Sequence, residues 1–338
     1  MYLKKAVTSL IAAALLISCG CGGGAERAAH MAARTELPTE QQETMAAVPP
    51  SPENSVPAND PDSIVITDMS GREIRLDVMP ERVIALSPAG CEMLYALGAE
   101  RSLIGRGECC DYPPEAMDIP VFSMGDEEDA SGIVSQRPDM LILNAMDLQA
   151  EQIVRLEQAG IPILVCDAET LEENYACLRM LGQVFDKQKP AEQIIQGMQD
   201  AFAAIQADPV PGGRTIYFER ETESGLYTAG RGTFLNDIAE LMGLQNCFGD
   251  LDGWTLVDED QVAERDPDFI LTVTPFSGEG VAPEDEIVCR DAWQDMAAVM
   301  NEDVIGMPDN ELSRIGPRLA FGAQMLYDFV VESLAAQE

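Results

Sequence analysis

Two stretches of this chain repeat one pattern, and a single amphipathic helix separates them. Residues 133–143 read IVSQRPDMLIL and residues 261–271 read QVAERDPDFIL. Each is the end of a short helix, a Pro-Asp turn and an apolar run of strand length. Each is followed by a helical segment and another short strand, Ile161–Cys166 in the first half and Asp303–Met307 in the second. Between them, Ile194, Ile195, Met198, Ala201, Phe202 and Ile205 recur at three- and four-residue steps, which draws one apolar stripe along a helix. Pro190 suits its first turn, and Pro209, Pro211, Gly212 and Gly213 stop it. A helix of this length spans roughly 30 Å, about the width of a small domain. Strands alternating with helices imply mostly parallel sheets. The expected fold is α/β: two lobes with mostly parallel sheets, joined by a single long interdomain helix, with a cleft between them.

The expected divisions are 63–186 for the N-terminal lobe, 187–209 for the connecting helix and 210–338 for the C-terminal lobe. Ile64–Ile66 and Glu73–Leu76 flank Met69-Ser70-Gly71-Arg72 as a hairpin, and Arg82–Leu86 is the first core strand. Ser87-Pro88-Ala89-Gly90 turns that strand into a helix stopped by Gly98. In the second lobe, Thr215–Glu219 and Phe269–Val273 read as strands. Tyr227–Phe234 reads as a loop entering a helix, and Trp254 lies in another loop.

The N-terminus sets the expected compartment. Lys4 and Lys5 precede the apolar run Ala6–Ile17, a leader layout too short for a membrane span. Leu16-Ile17-Ser18-Cys19 resembles the bacterial lipobox, which makes Cys19 the expected lipidation site, 1–18 the leader and 19–62 a lipidated tether. The tether is rich in Pro, Glu, Gln, Ala and Ser and has no apolar period to bury. Membrane attachment is expected through the lipid alone, on the extracytoplasmic side.

Charge and residue choice exclude several functions. The chain carries 59 acidic and 21 basic residues, a formal net charge of −38, which repels phosphate backbones and makes nucleic acid a poor partner. The only histidine is His30, in the tether. Ser-His-Asp and Cys-His catalysis are thereby excluded from the folded part, and so is a bare transition-metal site built on imidazoles. Gly230-Arg-Gly232-Thr lacks the GK[ST] of a phosphate loop. The cysteines mostly sit in apolar strand and helix patterns, so free thiols are expected.

Further segments carry a resemblance. Residues 82–89, RVIALSPA, followed by residues 111–116, DYPPEA, are similar to the iron-siderophore, haem and vitamin B12 substrate-binding family of ABC importers. Arg137-Pro138-Asp139, Tyr227–Phe234, Leu241–Asn246 and Ser313–Arg318 fall where that family has like segments, so the resemblance runs from about Asp62 to the C-terminus. It implies the two-lobe fold of class III periplasmic binding proteins, with little hinge motion. It also implies a monomer that binds a small-molecule metal chelate, performs no chemistry and serves a permease and its ATPase. A corrinoid is the first expected ligand, haem or a ferric siderophore the second. The ligand itself carries the metal, so no further cofactor is expected. The alternative class is a surface-anchored lipoprotein enzyme acting on a cell-surface substrate.

In open α/β sheets ligands sit beyond the carboxyl ends of the strands. That rule and the resemblance together select Ser87, Pro88, Arg106, Cys110, Tyr112, Tyr227, Arg231, Trp254, Asp309 and Arg314 as ligand-binding candidates. Tyr112 and Trp254 suit stacking on a flat macrocycle. Arg106 and Arg314 suit carboxylates or phosphate, with structural ion pairs as the alternative. Cys110, like Cys109, is read either as an approach to a chelated metal or as an inert buried thiol. The resemblance further implies one acidic docking knob per lobe for the permease. Asp126, Glu127, Glu128 and Asp129 stand near the first position, where Ser131 replaces the expected carboxylate. Asp258, Glu259 and Asp260 stand at the second.

Overall fold

In the computed structural model, the described residues are 63–123, 127–144, 150–276, 280–307 and 311–337. The expected leader, Cys19 and the expected tether lie outside them, as do Asp126 and Asp309.

The first lobe opens with the hairpin β1 (Ile64–Thr67) and β2 (Glu73–Leu76), then β3 (Val83–Ala85), α1 (Pro88–Leu97) and β4 (Leu103–Arg106). It continues with α2 (Glu127–Ser135), β5 (Met140–Leu143), α3 (Ala150–Gln158), β6 (Ile163–Val165) and α4 (Leu171–Val184). Strands β4-β3-β5-β6 form one sheet in that order, parallel throughout. Its central strands read VIA and MLIL and are buried on both faces, as a parallel sheet under helices requires.

The connecting helix α5 (Gln188–Gln206) buries Ala191, Ile195, Met198, Phe202 and Ile205, the stripe read from the sequence. It packs against α4 on one side and the C-terminal helix on the other. Gly182 and Ala191 touch closely there: a Cβ at Gly182 would come within 2.9 Å of the Ala191 methyl.

The second lobe contains β7 (Thr215–Thr222), β8 (Gly225–Ala229), α6 (Phe234–Met242), β9 (Gln245–Asn246), β10 (Trp254–Val257), α7 (Glu259–Arg265) and β11 (Phe269–Thr272). It ends with α8 (Pro283–Val288), α9 (Ala297–Met300), β12 (Val304–Gly306) and α10 (Leu319–Gln337). The sheet order is β10-β8-β7-β11-β12, with β9 on β7. This sheet is mixed: β9-β7, β7-β11 and β11-β12 pair parallel, as the expectation of mostly parallel sheets has it, while β7-β8 and β8-β10 pair antiparallel. Gly225 at φ 123° lets β7 fold back into β8, and β10 then adds antiparallel to β8. Residues expected as loops, Tyr227–Ala229 and Trp254–Val257, are therefore strands.

Polar contacts tie the lobes together beyond the chain itself. The Phe234 N–H donates to the Glu169 carbonyl at 2.7 Å. The Leu171 N–H donates to Asp237 at 3.1 Å, and Asn174 Nδ2 to the Gly316 carbonyl at 3.3 Å. Arg318 pairs with the nearly buried Glu92 of α1 at 3.0 Å. No helix among the described residues is long and apolar enough to cross a membrane.

Candidate ligand-binding site

Strand register builds the second-lobe wall of the cleft. Arg220 lies across from Tyr227 in the β7–β8 ladder, and Leu256 lies across from Tyr227 in the β8–β10 ladder. Trp254 lies across from Ala229 in the next row. Residues opposite each other share a face, as do residues two apart in one strand, so Arg220, Tyr227, Trp254 and Leu256 stand on one face. Trp254 is half-buried and Leu256 is 50% exposed, an apolar shelf. The Arg220 guanidinium carbon stands 6.0 Å from the centre of the Trp254 ring.

The shelf is fixed by its lead-in. Gly230 N–H donates to the Gly253 carbonyl and Arg231 N–H to the Leu251 carbonyl, both at 2.8 Å. A Cβ at Gly230 would stand 2.4 Å from the Leu251 carbonyl oxygen, so only glycine lets these two loop segments meet.

The loop Gly107–Pro113 of the first lobe comes within electrostatic reach of the shelf, since its Cys109 is among the groups that act on Arg220. Arg314 reaches the loop from the second lobe, donating Nη1 to the Cys109 carbonyl at 3.0 Å and pairing with Asp111 at 2.8 Å. Arg318 lays its guanidinium over the Tyr112 ring, 3.8 Å from the centroid. Tyr112 and Arg318 also line a recess of about 620 Å³ whose walls come from both lobes, Glu92, Tyr95 and Pro113 from the first and Pro317 and Phe321 from the second among others.

The candidates named from sequence do not all meet there. Tyr112, Trp254 and Arg314 lie at the lobe junction. Tyr227 joins the shelf but is 4% exposed, with its hydroxyl unpartnered among the described residues. Arg231 is exposed and paired with Asp252 at 2.6 Å, within its own lobe. Ser87 is the N-cap of α1: its hydroxyl accepts from the Gly90 N–H at 3.1 Å, and Pro88 takes the first turn. Arg106 is 5% exposed and turns Nη1 back onto the carbonyl oxygens of Gly107 and Glu108. Cys110 is 1% exposed, with its sulfur against the Ala85 and Leu86 carbonyls. The hydrogen-bonded Cys91 thiol and burial push the Cys110 thiol above its usual value. Cys110 is thus placed as a core thiol, and none of the seven described cysteines forms a disulfide.

The acidic candidates also separate. Glu127, Glu128 and Asp129 open α2, and their side chains lie outside what is described. Asp258 is the N-cap of α7, accepting from the Gln261 N–H at 2.8 Å in a capping box. Glu259 and Asp260 are exposed in its first turn. Arg220 and Leu256 are not among the candidates read from the sequence, and Arg318 figures only as the end of the segment Ser313–Arg318. Only the alternation of Trp254-Thr-Leu256 could have marked Leu256, and nothing local marks the two arginines.

A family profile described as Periplasmic binding protein matches residues 83–311. The chain belongs to that family. Among curated relatives, an uncharacterized ABC transporter substrate-binding lipoprotein, YvrC, of Bacillus subtilis is 26% identical over 275 residues. The match covers 79% of this chain and 85% of the relative. A vitamin B12-binding protein of Pectobacterium carotovorum is 28% identical over 252 residues, covering 73% and 87%. The fold matches a solved ABC-type Fe3+-hydroxamate transport protein of Saccharomonospora viridis with a TM-score of 0.66 at 24% identity, covering 78% of this chain and 98% of that one. The α/β lobes and connecting helix of this periplasmic binding protein are those of the class III type.

Proposed function

We propose that this periplasmic binding protein is the lipid-anchored, extracytoplasmic substrate-binding component of an ABC importer. It holds a metal chelate between its lobes and presents it to the permease, without chemistry of its own. The observation that carries the reading is the wall of Trp254, Leu256 and Arg220 within electrostatic reach of the Gly107–Pro113 loop across the lobe junction. A flat, partly apolar ligand with polar edges fits such a wall, since an aromatic platform supplies area and a few polar groups fix orientation. A corrinoid is the first ligand of this class, because the vitamin B12-binding relative matches along 73% of the chain. The deciding experiment is calorimetric titration of residues 63–338 with cobalamin, haem and a ferric siderophore. Saturable binding of cobalamin alone supports the corrinoid reading; binding of haem or the siderophore alone replaces it.

Trp254→Ala should weaken capture of whichever chelate binds by about 2 kcal/mol, roughly thirtyfold in Kd, because a large aromatic anchor loses its contact area. Unchanged affinity in the same titration would remove Trp254 from the ligand surface.

Anchoring is tested separately. Cys19→Ala should abolish incorporation of labelled fatty acid and leave the leader uncut, read by membrane fractionation and mass. Undiminished labelling would move the lipid to Cys21, the next cysteine.

A further inference from the structure

The arginines around the cleft are not alike. Arg314 is paired with Asp111, Arg231 with Asp252, and Arg106 donates to two backbone carbonyls. Arg220 makes no hydrogen bond or ion pair with the described residues; its one close partner is the Trp254 ring. In a chain with nearly three acidic residues for each basic one, a half-buried arginine with no carboxylate partner among the described residues runs against composition.

Strand geometry explains how this arises. Glu219 and Glu221 flank Arg220 in β7, but neighbours in a strand project from opposite faces. On the far face Arg290 takes Glu219 at 2.7 Å and lies 3.9 Å from Glu221. Arg220 is left on the cleft face with Tyr227, a second polar group whose buried hydroxyl is unpartnered among the described residues. Burial, joined by the neighbouring Arg314 charge, pulls the Arg220 guanidinium below its ordinary value. A guanidinium still keeps its proton in a protein, so the charge stays and lacks a counter-charge among the described residues. Leaving such a group unpaired is unfavourable, and an anionic oxygen brought by the ligand relieves it.

We propose that Arg220 is the anion subsite of the cleft, receiving a carboxylate or phosphate at the ligand's edge while Trp254 covers the ligand's flat face. The proposal rests on the chelate-binding reading and narrows it to chelates with a peripheral anionic group. Two sources share that chemistry: the phosphodiester of a corrinoid's nucleotide and the propionates of a haem.

The test uses matched probes on the parent, Arg220→Gln and Arg220→Lys. Cobalamin is compared with cobinamide, which lacks the phosphodiester-linked nucleotide, and haem with its dimethyl ester. Arg220→Gln should bind the anion-bearing member at least tenfold more weakly, the scale of a lost charge-assisted hydrogen bond, and the anion-free member within twofold of the parent. Arg220→Lys should recover part of the loss. The pair that separates identifies the anion as phosphodiester or carboxylate. Equal affinity of Arg220→Gln and parent for the anion-bearing probe overturns the proposal, and so does equal loss for both members of a pair. A chelate-independent arm separates the two readings. Inorganic phosphate should raise the parent's Tm and leave that of Arg220→Gln unmoved. That result without chelate binding keeps the anion subsite and retires the chelate; chelate binding indifferent to Arg220 does the reverse.

Discussion

Arg290→Met is expected to destabilise the protein by about 3–5 kcal/mol, because it strips the partner from a buried carboxylate. Glu219 is 1% exposed, and Arg290 holds it with two parallel bonds, Nη1 to Oε2 at 2.7 Å and Nη2 to Oε1 at 3.0 Å. Glu286, one turn earlier, takes the same guanidinium, and the Trp293 ring covers its face at 4.4 Å. Burial pulls Arg290 down, but the bonds from Glu219 and Glu286 outweigh it and hold the guanidinium above its ordinary value. A guanidinium keeps its proton in a protein in any case, while burial pushes the Glu219 carboxyl up against the pull of Arg290. Chemical denaturation followed by circular dichroism measures the effect. The control is the double variant Glu219→Met with Arg290→Met, which removes both charges and should recover most of the loss. A single variant within 1 kcal/mol of the parent would show that the pair contributes little to the second lobe.

Reversing Glu259 and Asp260 to Lys is expected to abolish uptake while leaving ligand affinity in solution within twofold. These two are the proposed second-lobe docking charges, and both are exposed at the start of α7. Asp258 belongs outside the variant, since its carboxylate caps the helix and its loss would destabilise α7 by about 1 kcal/mol. Charges at the rim of an interface act mainly through steering and fall off with salt. Permease binding by the parent should accordingly weaken as ionic strength rises, and the reversed variant should show no such dependence. Parallel loss of ligand affinity would place the two residues in the fold or the cleft instead of at the permease.

The repeat of helix end, Pro-Asp turn and apolar strand was legible because it is local. Asp139 accepts from the Glu81 and Arg82 N–H groups, and Asp268 from Thr215, so each Pro-Asp turn locks onto the strand beside it. The helical stripe of α5 was legible for the same reason: its period needs no partner to be read. The hairpin of β7 and β8 was not, since Tyr227-Thr-Ala is too short to show alternation and was read with the glycines after it. Arg220 was invisible because its meaning depends on which face of the strand it takes. From sequence, Glu219 and Glu221 look like its natural partners; only the pleat turns both of them toward Arg290. Ser87 and Asp258 show the opposite case, with a local role the candidate list passed over. Both carry a helix-start signature, yet their position beside the cleft or docking face suggested ligands and partners before caps.

The bonds between the lobes bear on how cargo leaves. Asn174 to Gly316, Leu171 to Asp237, Phe234 to Glu169 and Arg318 to Glu92 hold the two halves on their own, and Arg314 to Asp111 spans the lip. Lobes fastened this way do not need cargo to keep them together, so capture carries little ordering penalty and residence time is set by escape from a standing cleft. Spontaneous opening must break several of these contacts together, which makes it rare. Unloading then becomes a mechanical act. Were a permease to grip both lobes and move them apart, the Arg314–Asp111 pair across the lip would be among the contacts it has to break.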